Sequence, residues 1–333
     1  MGILYEWFAE IYEKEKEYSM KPYIFGVDIG GTTVKMGLFQ SDGTKIEQWE
    51  IPTRTENKSE RLLPDIAEAI FNKRKKYEIK VTEVEGIGVG VPGAVLKDAY
   101  VKPCVNLNQW GGFDVAEKLS KMCQIPVKIV NDANAAALGE MSHGGGKGHK
   151  NVVFVTLGTG VGGGIIINGR LVSGVHGSGG EIGHIKMNPN EQESCGCGKK
   201  GCLEQYASAT GIVRMAKKAL EESEEESILS SCEHLSSKKV FDCAKEGDKL
   251  SEFVVNEMSD ILGRALASIS CVCDPEVIVI GGGVAKAGEY LLKKIQRYFE
   301  RYAFPAAEET QFALAELGND AGIYGGMQII IEK

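Results

Sequence analysis

The chain has 333 residues, of which 43% are apolar and 25% charged, enough for roughly two ordinary domains with a sizeable buried core. Those ordinary shares exclude a long disordered chain, and the 38 lysines and arginines against 46 aspartates and glutamates, a net charge of −8, exclude any global attraction to nucleic acid or anionic lipid. A phosphorylated ligand would have to be held by local devices, and the 42 glycines, roughly twice the usual share, supply one.

The first residues carry Ile3, Leu4, Trp7, Phe8, Ile11 and Tyr12 at helical spacing among acids and lysines. Residues 1–22 therefore read as an extension with a short amphipathic helix resting on the body or on a partner subunit. They carry several acids and lack the apolar stretch of a signal peptide. No segment approaches the ~18 consecutive apolar residues of a membrane span. A cytoplasmic, reducing location follows, with no nucleic acid or membrane as partner. Disulfides are then disfavoured among the nine cysteines, and clustered thiols are read first as metal ligands.

A short apolar run at 23–27 leads into Asp28-Ile29-Gly30-Gly31-Thr32-Thr33, and 34–39 resumes strand-like. Ser41-Asp42-Gly43 reads as a turn. Helical periodicity covers 61–76, a strand runs over 86–91 to Pro92-Gly93, a helix over 113–122, and a strand over 127–130 to Asn131-Asp132. An alanine-rich helix follows at 133–141. Then the opening pattern returns. An apolar run at 153–157 precedes Gly158-Thr159-Gly160-Val161-Gly162-Gly163-Gly164, and 165–167 closes it. Laying 25–39 over 153–167 without a gap puts Gly30 on Gly158, which reads as a duplicated strand, glycine turn, strand unit. Further on come a loop-rich insertion at 171–201 and helices over 209–224 and 250–271. A buried strand at 277–280 ends in Gly281-Gly282-Gly283, a helix spans 286–301, and 322–331 is helical despite its glycines.

Three glycine loops thus follow apolar strands. Glycine lets backbone N–H groups face an anion with no Cβ in the way, threonines add hydroxyl donors, and Asp28 at a strand end is placed to hold Mg²⁺ through water. Each loop alone is as easily just a turn. No Gly-x-x-x-x-Gly-Lys-Ser/Thr is present, and the Gly-x-Gly-x-x-Gly at 158–163 is followed by a strand rather than a helix. The P-loop and dinucleotide-binding readings both fail on context.

His184 with Cys195, Cys197 and Cys202 makes a complete Cys₃His set for a closed, structural zinc; free thiols or a disulfide are the alternatives. Asp132 could be a helix cap. Its company is Asn131, Glu181, His184, Glu204 and Asn106, carboxylates, amides and an imidazole that together suit a polyhydroxyl ligand.

At these residues the chain resembles the ROK family of sugar kinases and repressors, and within it the bacterial glucokinases. Asp28-Ile29-Gly30-Gly31-Thr32, Asn131-Asp132-Ala133-Asn134-Ala135-Ala136, the glycine run 158–164, Gly180-Glu181-Ile182-Gly183-His184 and Cys195-Gly196-Cys197-Gly198-x-x-Gly-Cys202-x-Glu204 carry the resemblance, which covers residues 23–333. It implies a two-lobed, actin-like (ribonuclease H-like) α/β fold: duplicated mixed-sheet domains around a central cleft, with a zinc-bearing loop at 184–202. The N-terminal lobe would be 23–132 with about 319–333, and the C-terminal lobe 133–318. The implied reaction is ATP-dependent phosphorylation of glucose at the 6-hydroxyl, by a homodimer or homotetramer. Carried over by motif, Asp132 is the general base, and Asn106, Asn131, Glu181, His184 and Glu204 contact the sugar, with Gly93 close by. His184 would serve zinc through one ring nitrogen and sugar through the other. Asp28, Gly30, Gly31, Thr32, Thr33, Lys35, Gly158, Thr159 and Gly160 would surround the Mg·ATP phosphates, and Gly282 and Gly283 lie near the adenosine. The rival readings are kinases for N-acetylglucosamine, N-acetylmannosamine or fructose, a sugar-binding module without catalysis, and a sugar-responsive repressor. For the repressor, the 22 residues ahead of the first strand are too few and too acidic for a DNA-binding domain.

Overall fold

The computed structural model describes residues 20–104 and 107–332. The expected N-terminal helix falls outside them, as does Asn106. The first half supplies strands β1 (Tyr23–Ile29), β2 (Thr33–Gln40), β3 (Lys45–Pro52) and β4 (Val84–Val91), three two-residue strands, β5 (Val95–Leu96), β6 (Tyr100–Val101) and β7 (Phe113–Asp114), and then β8 (Val127–Asn131). Helices α1 (Leu62–Lys76), α2 (Val115–Cys123) and α3 (Asp132–His143) alternate with them. The second half supplies β9 (Val152–Leu157), β10 (Val161–Ile167), β11 (Arg170–Leu171), α4 (Ala209–Glu222), α5 (Ser237–Lys245), α6 (Lys249–Cys273), β12 (Val277–Gly281), α7 (Glu289–Tyr302), β13 (Gln311–Leu314) and α8 (Ala321–Ile331).

Strands β5, β6 and β7 form a small antiparallel sheet of their own; the other ten form two five-stranded sheets with the same plan, β3-β2-β1-β4-β8 and β11-β10-β9-β12-β13. In each, an antiparallel hairpin (β1 with β2, β9 with β10) is extended by two parallel strands and edged by one antiparallel strand. This is the duplication that the strand, glycine, strand pattern announces. The central strands read as continuous apolar runs because helices cover both faces. In the first sheet Val27, Ile29, Ile87 and Val89 bury one face with Ile66 and Ile70 of α1 and Leu119 of α2. In the second, Val153, Val155, Ile278 and Ile280 pack with Val254, Met258 and Leu262 of α6 and with Ile295 and Phe299 of α7.

The chain passes between the sheets twice: from β8 through α3 to β9, and from β13 back to α8, which lies on β1 and β4 of the first sheet. At both crossings helix meets backbone directly. A Cβ on Gly26 or Gly88 would overlap main-chain oxygens of α8, and one on Gly139 would overlap Ala321 of the same helix. Among the described residues no helix is long and apolar enough to cross a membrane.

Local chemistry shifts several boundaries. Asp114 accepts a hydrogen bond from the backbone N–H of Glu117 at 2.7 Å, so α2 starts at Val115 and Phe113 joins an edge strand instead. Only 158–160 of the second glycine run is a turn; Gly162, Gly163 and Gly164 belong to β10. A Cβ on Gly164 would stand 2.5 Å from that of Ala137, so the glycines there serve close packing of α3 on the strand. Gly288, with φ +71°, breaks the expected helix from 286, and α7 begins at Glu289 after one tight turn.

Candidate active site

A cleft of about 620 Å³ opens between the sheets. It is lined by Asp28, Gly30, Lys35, Gly93, Asn131, Asp132, Gly158, Gly160, Glu181 and Glu204, all of them sequence candidates, and also by Thr156, Gly318, Asn319 and Gly322. Most of these residues sit at strand ends or in the turns after them, where side chains can converge without belonging to either core; Glu181 and Glu204 come from the insertion between β11 and α4, and Gly322 from α8.

Asp132 begins α3 as the last turn of β8 becomes helix. Asn131 is the cap: its Oδ1 accepts the N–H groups of Ala133 and Asn134 at 3.0 and 3.2 Å. Asp132 Oδ1 also accepts from Ala133, at 2.8 Å. Capping therefore falls mainly to the neighbour, and the Asp132 carboxylate faces the cleft. Water reaches it from the open side, yet protein crowds it on the others. That desolvation is the main force raising its pKa, with repulsion from Glu181 adding and the Ala133 N–H opposing. Asp28 at the end of β1 is pushed up to about 6, first by burial and then by Asp132, with Lys35 pulling back. The cleft floor thus holds mutually repelling carboxylates, an arrangement that perturbs pKa values where proton transfer or cation binding is needed.

The Pro92-Gly93 turn closes the cleft beside Asn131, whose Nδ2 donates to the Gly93 carbonyl at 3.1 Å. Gly93 has φ +94°, a conformation side chains resist. Behind the turn the Cys104 thiol donates to the Pro92 carbonyl at 2.6 Å; burial, then the charge of Asp132, push it up to about 11.

The glycine turns are held from outside. Thr53 donates its hydroxyl to Gly30 O at 2.7 Å and its N–H to Thr32 O at 2.9 Å. Thr210 Oγ1 donates to Thr159 O at 2.8 Å, and the Ala209 N–H donates to Gly158 O at 2.8 Å. Gly31, Thr32 and Thr159 stand exposed at the mouth, and Thr33 half-buried. None of these four lines the cleft itself, nor do His184, Gly282 or Gly283. Gly282 packs on the backbone of Leu157, and a Cβ on Gly283 would meet open space. The third glycine loop is thus brought beside the second.

His184, Cys195, Cys197 and Cys202 come together with one donor atom each, all within 4.8 Å of one another. The Sγ atoms of Cys197 and Cys202 are 3.7 Å apart, and Cys195 Sγ is 3.7 Å from His184 Nδ1. A tetrahedral zinc with ordinary Zn–S and Zn–N bonds has ligand–ligand edges of roughly 3.6–3.8 Å, so the donor set fits the metal. The other ring nitrogen, Nε2, faces Glu181 Oε2 at 3.9 Å. Glu204 joins cluster and cleft: Oε1 accepts from Cys195 Sγ at 2.8 Å, and Oε2 lies where a Cβ on Gly160 would come within 2.6 Å.

Sequence reading missed the Gly318-Asn319 wall and Gly322. Their signal was a Gly-Asn-Asp turn opening a glycine-rich helix, visible only once that helix is known to return to the first sheet.

The ROK family model matches residues 24–333. This chain belongs to the ROK family. It is 44% identical over 313 residues to a glucokinase of Halalkalibacterium halodurans, covering 92% of this chain and 94% of that one. To the glucokinase of Thermotoga maritima it is 35% identical, covering 93% and 98%. Among solved structures it resembles a ROK family glucokinase from Streptomyces griseus in complex with glucose and AMPPNP, with TM-score 0.71, 33% identity and coverage of 92% and 98%. It also resembles a ROK hexokinase from Thermus thermophilus, with TM-score 0.77, 31% identity and coverage of 92% and 97%. The two-sheet fold of this ROK chain is therefore the fold of sugar kinases.

Proposed function

We propose that the protein phosphorylates glucose at its 6-hydroxyl with ATP, giving glucose 6-phosphate and ADP. The observation that carries the reading is Asp132: a carboxylate of raised pKa on the floor of a cleft whose walls are glycine turns and sugar-type donors and acceptors. The glucokinase relatives at 44% and 35% identity support glucose as the sugar.

In this mechanism the lobes are residues 23–132 with about 319–333, and 133–318. Asn131, Glu181, Glu204 and His184, with Gly93 beside Asn131, orient the sugar hydroxyls; Asn106, outside the described residues, is assigned to the sugar by its motif alone. The 6-hydroxyl oxygen attacks the terminal phosphorus as Asp132 takes its proton; the new O–P bond forms while the bond to the leaving ADP oxygen breaks. Phosphoryl transfer asks the protein mainly for alignment and charge neutralisation. Backbone N–H groups around Gly30, Gly31, Gly158 and Gly160 supply neutralisation, with Thr32, Thr33, Thr159 and Lys35; Gly282 and Gly283 border the adenosine. Asp28 would hold Mg²⁺ through water, and that ion supplies further charge neutralisation at the phosphates. His184 Nδ1 and the thiolates of Cys195, Cys197 and Cys202 would hold zinc, which would fix the loop between Glu181 and Glu204.

A coupled ADP-release assay over glucose, mannose, fructose, N-acetylglucosamine and N-acetylmannosamine tests the reading. Glucose is expected to give the highest kcat/KM by at least about tenfold, or about 1.4 kcal/mol of discrimination. An N-acetyl sugar in first place, or no ADP release with any of them, overturns it.

A further inference from the structure

Glu140 is fully buried in α3, two turns beyond Asp132, and the mechanism above gives it no task. Its carboxylate has no cationic partner among its contacts with described residues; it accepts three backbone N–H groups instead. Oε2 accepts from Gly145 at 2.9 Å and from Glu316 at 2.9 Å, and Oε1 accepts from Leu317 at 2.9 Å. Gly145 lies in the link that runs on from α3 to β9. Glu316 and Leu317 lie in the link that runs from β13 back to α8. One side chain therefore ties together the two covalent passages between the sheets.

The tie lies next to the site. Leu317 is followed by Gly318 and Asn319, which line the cleft. The Asn319 carbonyl accepts from Lys35 Nζ at 3.0 Å, and Asp320 is paired with Lys45 at 3.1 Å. The wall at 318–319 is thus pinned to the first sheet by Lys35 and Lys45, and to the start of the second by Glu140. Gly144 has room for no side chain, since a Cβ there would overlap Glu140 Oε2. The glycine run 144–146 wraps the carboxylate. A buried acid left without these donors would carry a heavy desolvation cost, so the two links are held to it.

We infer that Glu140 is a positioning residue for phosphoryl transfer: it clasps both inter-sheet links and holds the Gly318-Asn319 wall on the nucleotide side of the cleft in register with the helix that presents Asp132. The inference rests on the kinase reading. Sugar contacts on Asn131, Glu181 and Glu204 lie on other walls, so the effect of losing the clasp is selective.

The test is Glu140→Gln in the full chain. Glutamine has the same shape, but its amide nitrogen must face a backbone N–H in either orientation, so one or two of the three bonds are lost. Expected are a rise in the KM for ATP with a fall in kcat, together on the order of tenfold to a hundredfold in kcat/KM for ATP. Glucose affinity, measured by calorimetry without nucleotide, stays within about twofold of wild type. Amide hydrogen exchange at Glu316 and Leu317 speeds up while the sheet cores keep their protection. A folded variant with unchanged ATP kinetics, or one losing glucose and ATP affinity together, overturns the inference. Should Glu140→Gln not fold, Gly144→Ala displaces the carboxylate from outside and is read by the same split. If the wild-type chain releases no ADP with glucose, the kinase reading fails; amide exchange at 316–317 then still decides whether the clasp exists.

Discussion

Replacing Asp132 by asparagine removes a charge and almost no volume. The amide oxygen can still accept from the Ala133 N–H, now 2.8 Å from Oδ1, and Asn131 keeps capping α3. The geometry of the cleft floor should therefore survive while the proton acceptor is lost. A positioned base contributes about 10²–10⁴ in rate, which is roughly 3–5 kcal/mol at the barrier. Glucose affinity, read by calorimetry, is expected to stay within about threefold, because an amide still bonds a hydroxyl. Stability should move the other way. A carboxyl whose pKa is raised on folding opposes the folded state at every pH above its unfolded value of 3.8, so the neutral isostere melts at the same temperature or higher at pH 7. Asp28, held near 6 in part by Asp132, should then titrate lower in the variant. Turnover within a few-fold of wild type, measured on purified protein, would remove Asp132 from the role of base.

In the wild-type enzyme kcat/KM for ATP is expected to fall as pH drops below about 6, where Asp28 of the free enzyme takes up its proton; a flat acid limb of kcat/KM down to about pH 5 would contradict the assignment. Elemental analysis should find about one zinc per chain, and Cys197→Ser should lose it together with glucose affinity, because the metal fixes the loop bearing Glu181 and Glu204; a zinc-free wild type with full activity would refute this. Glu47 is held down to about 2, first by Lys73 at 2.6 Å and also by Lys76. Its contribution to stability is complete above its ordinary value of 4.5 and disappears as pH falls toward 2; Glu47→Gln should cost up to about 1 kcal/mol at pH 7, a gap in chemical denaturation that closes with acid. Gly88→Ala forces a methyl into the backbone of α8 and should destabilise by about 1–3 kcal/mol or more, read as a lowered melting temperature.

Strands and glycine turns were legible because apolar runs of five to eight residues bounded by glycine admit few other readings. The repeat at Gly30 and Gly158 foretold the matching sheets. The four zinc-type residues were legible by spacing alone, since glycines at 196, 198 and 201 free the loop to turn. What stayed hidden depends on contacts made far along the chain. β3, with Lys45, Glu47, Gln48 and Glu50 among its eight residues, is a half-buried edge with a weak apolar signal. β13 is four residues long and is defined by pairing with β12. Gly162, Gly163 and Gly164 looked like more turn because glycine's freedom and its small size leave the same mark in a sequence. Glu140 sits in the alanine-rich helix with nothing local to mark its task, because two of its three partners lie over 170 residues away.

The first sheet has its glycine-bearing face covered by α8, the last helix of the chain. During synthesis that lid does not yet exist. At ordinary translation rates of about 5–20 residues per second, β1 and β4 wait roughly ten to fifty seconds after β4 emerges before α8 follows. The ribosome thus exports a half-dressed sheet, flat and apolar where the helix will later lie. Deleting the last dozen residues would leave that nakedness permanent, and such a chain should be a client of chaperones rather than an enzyme.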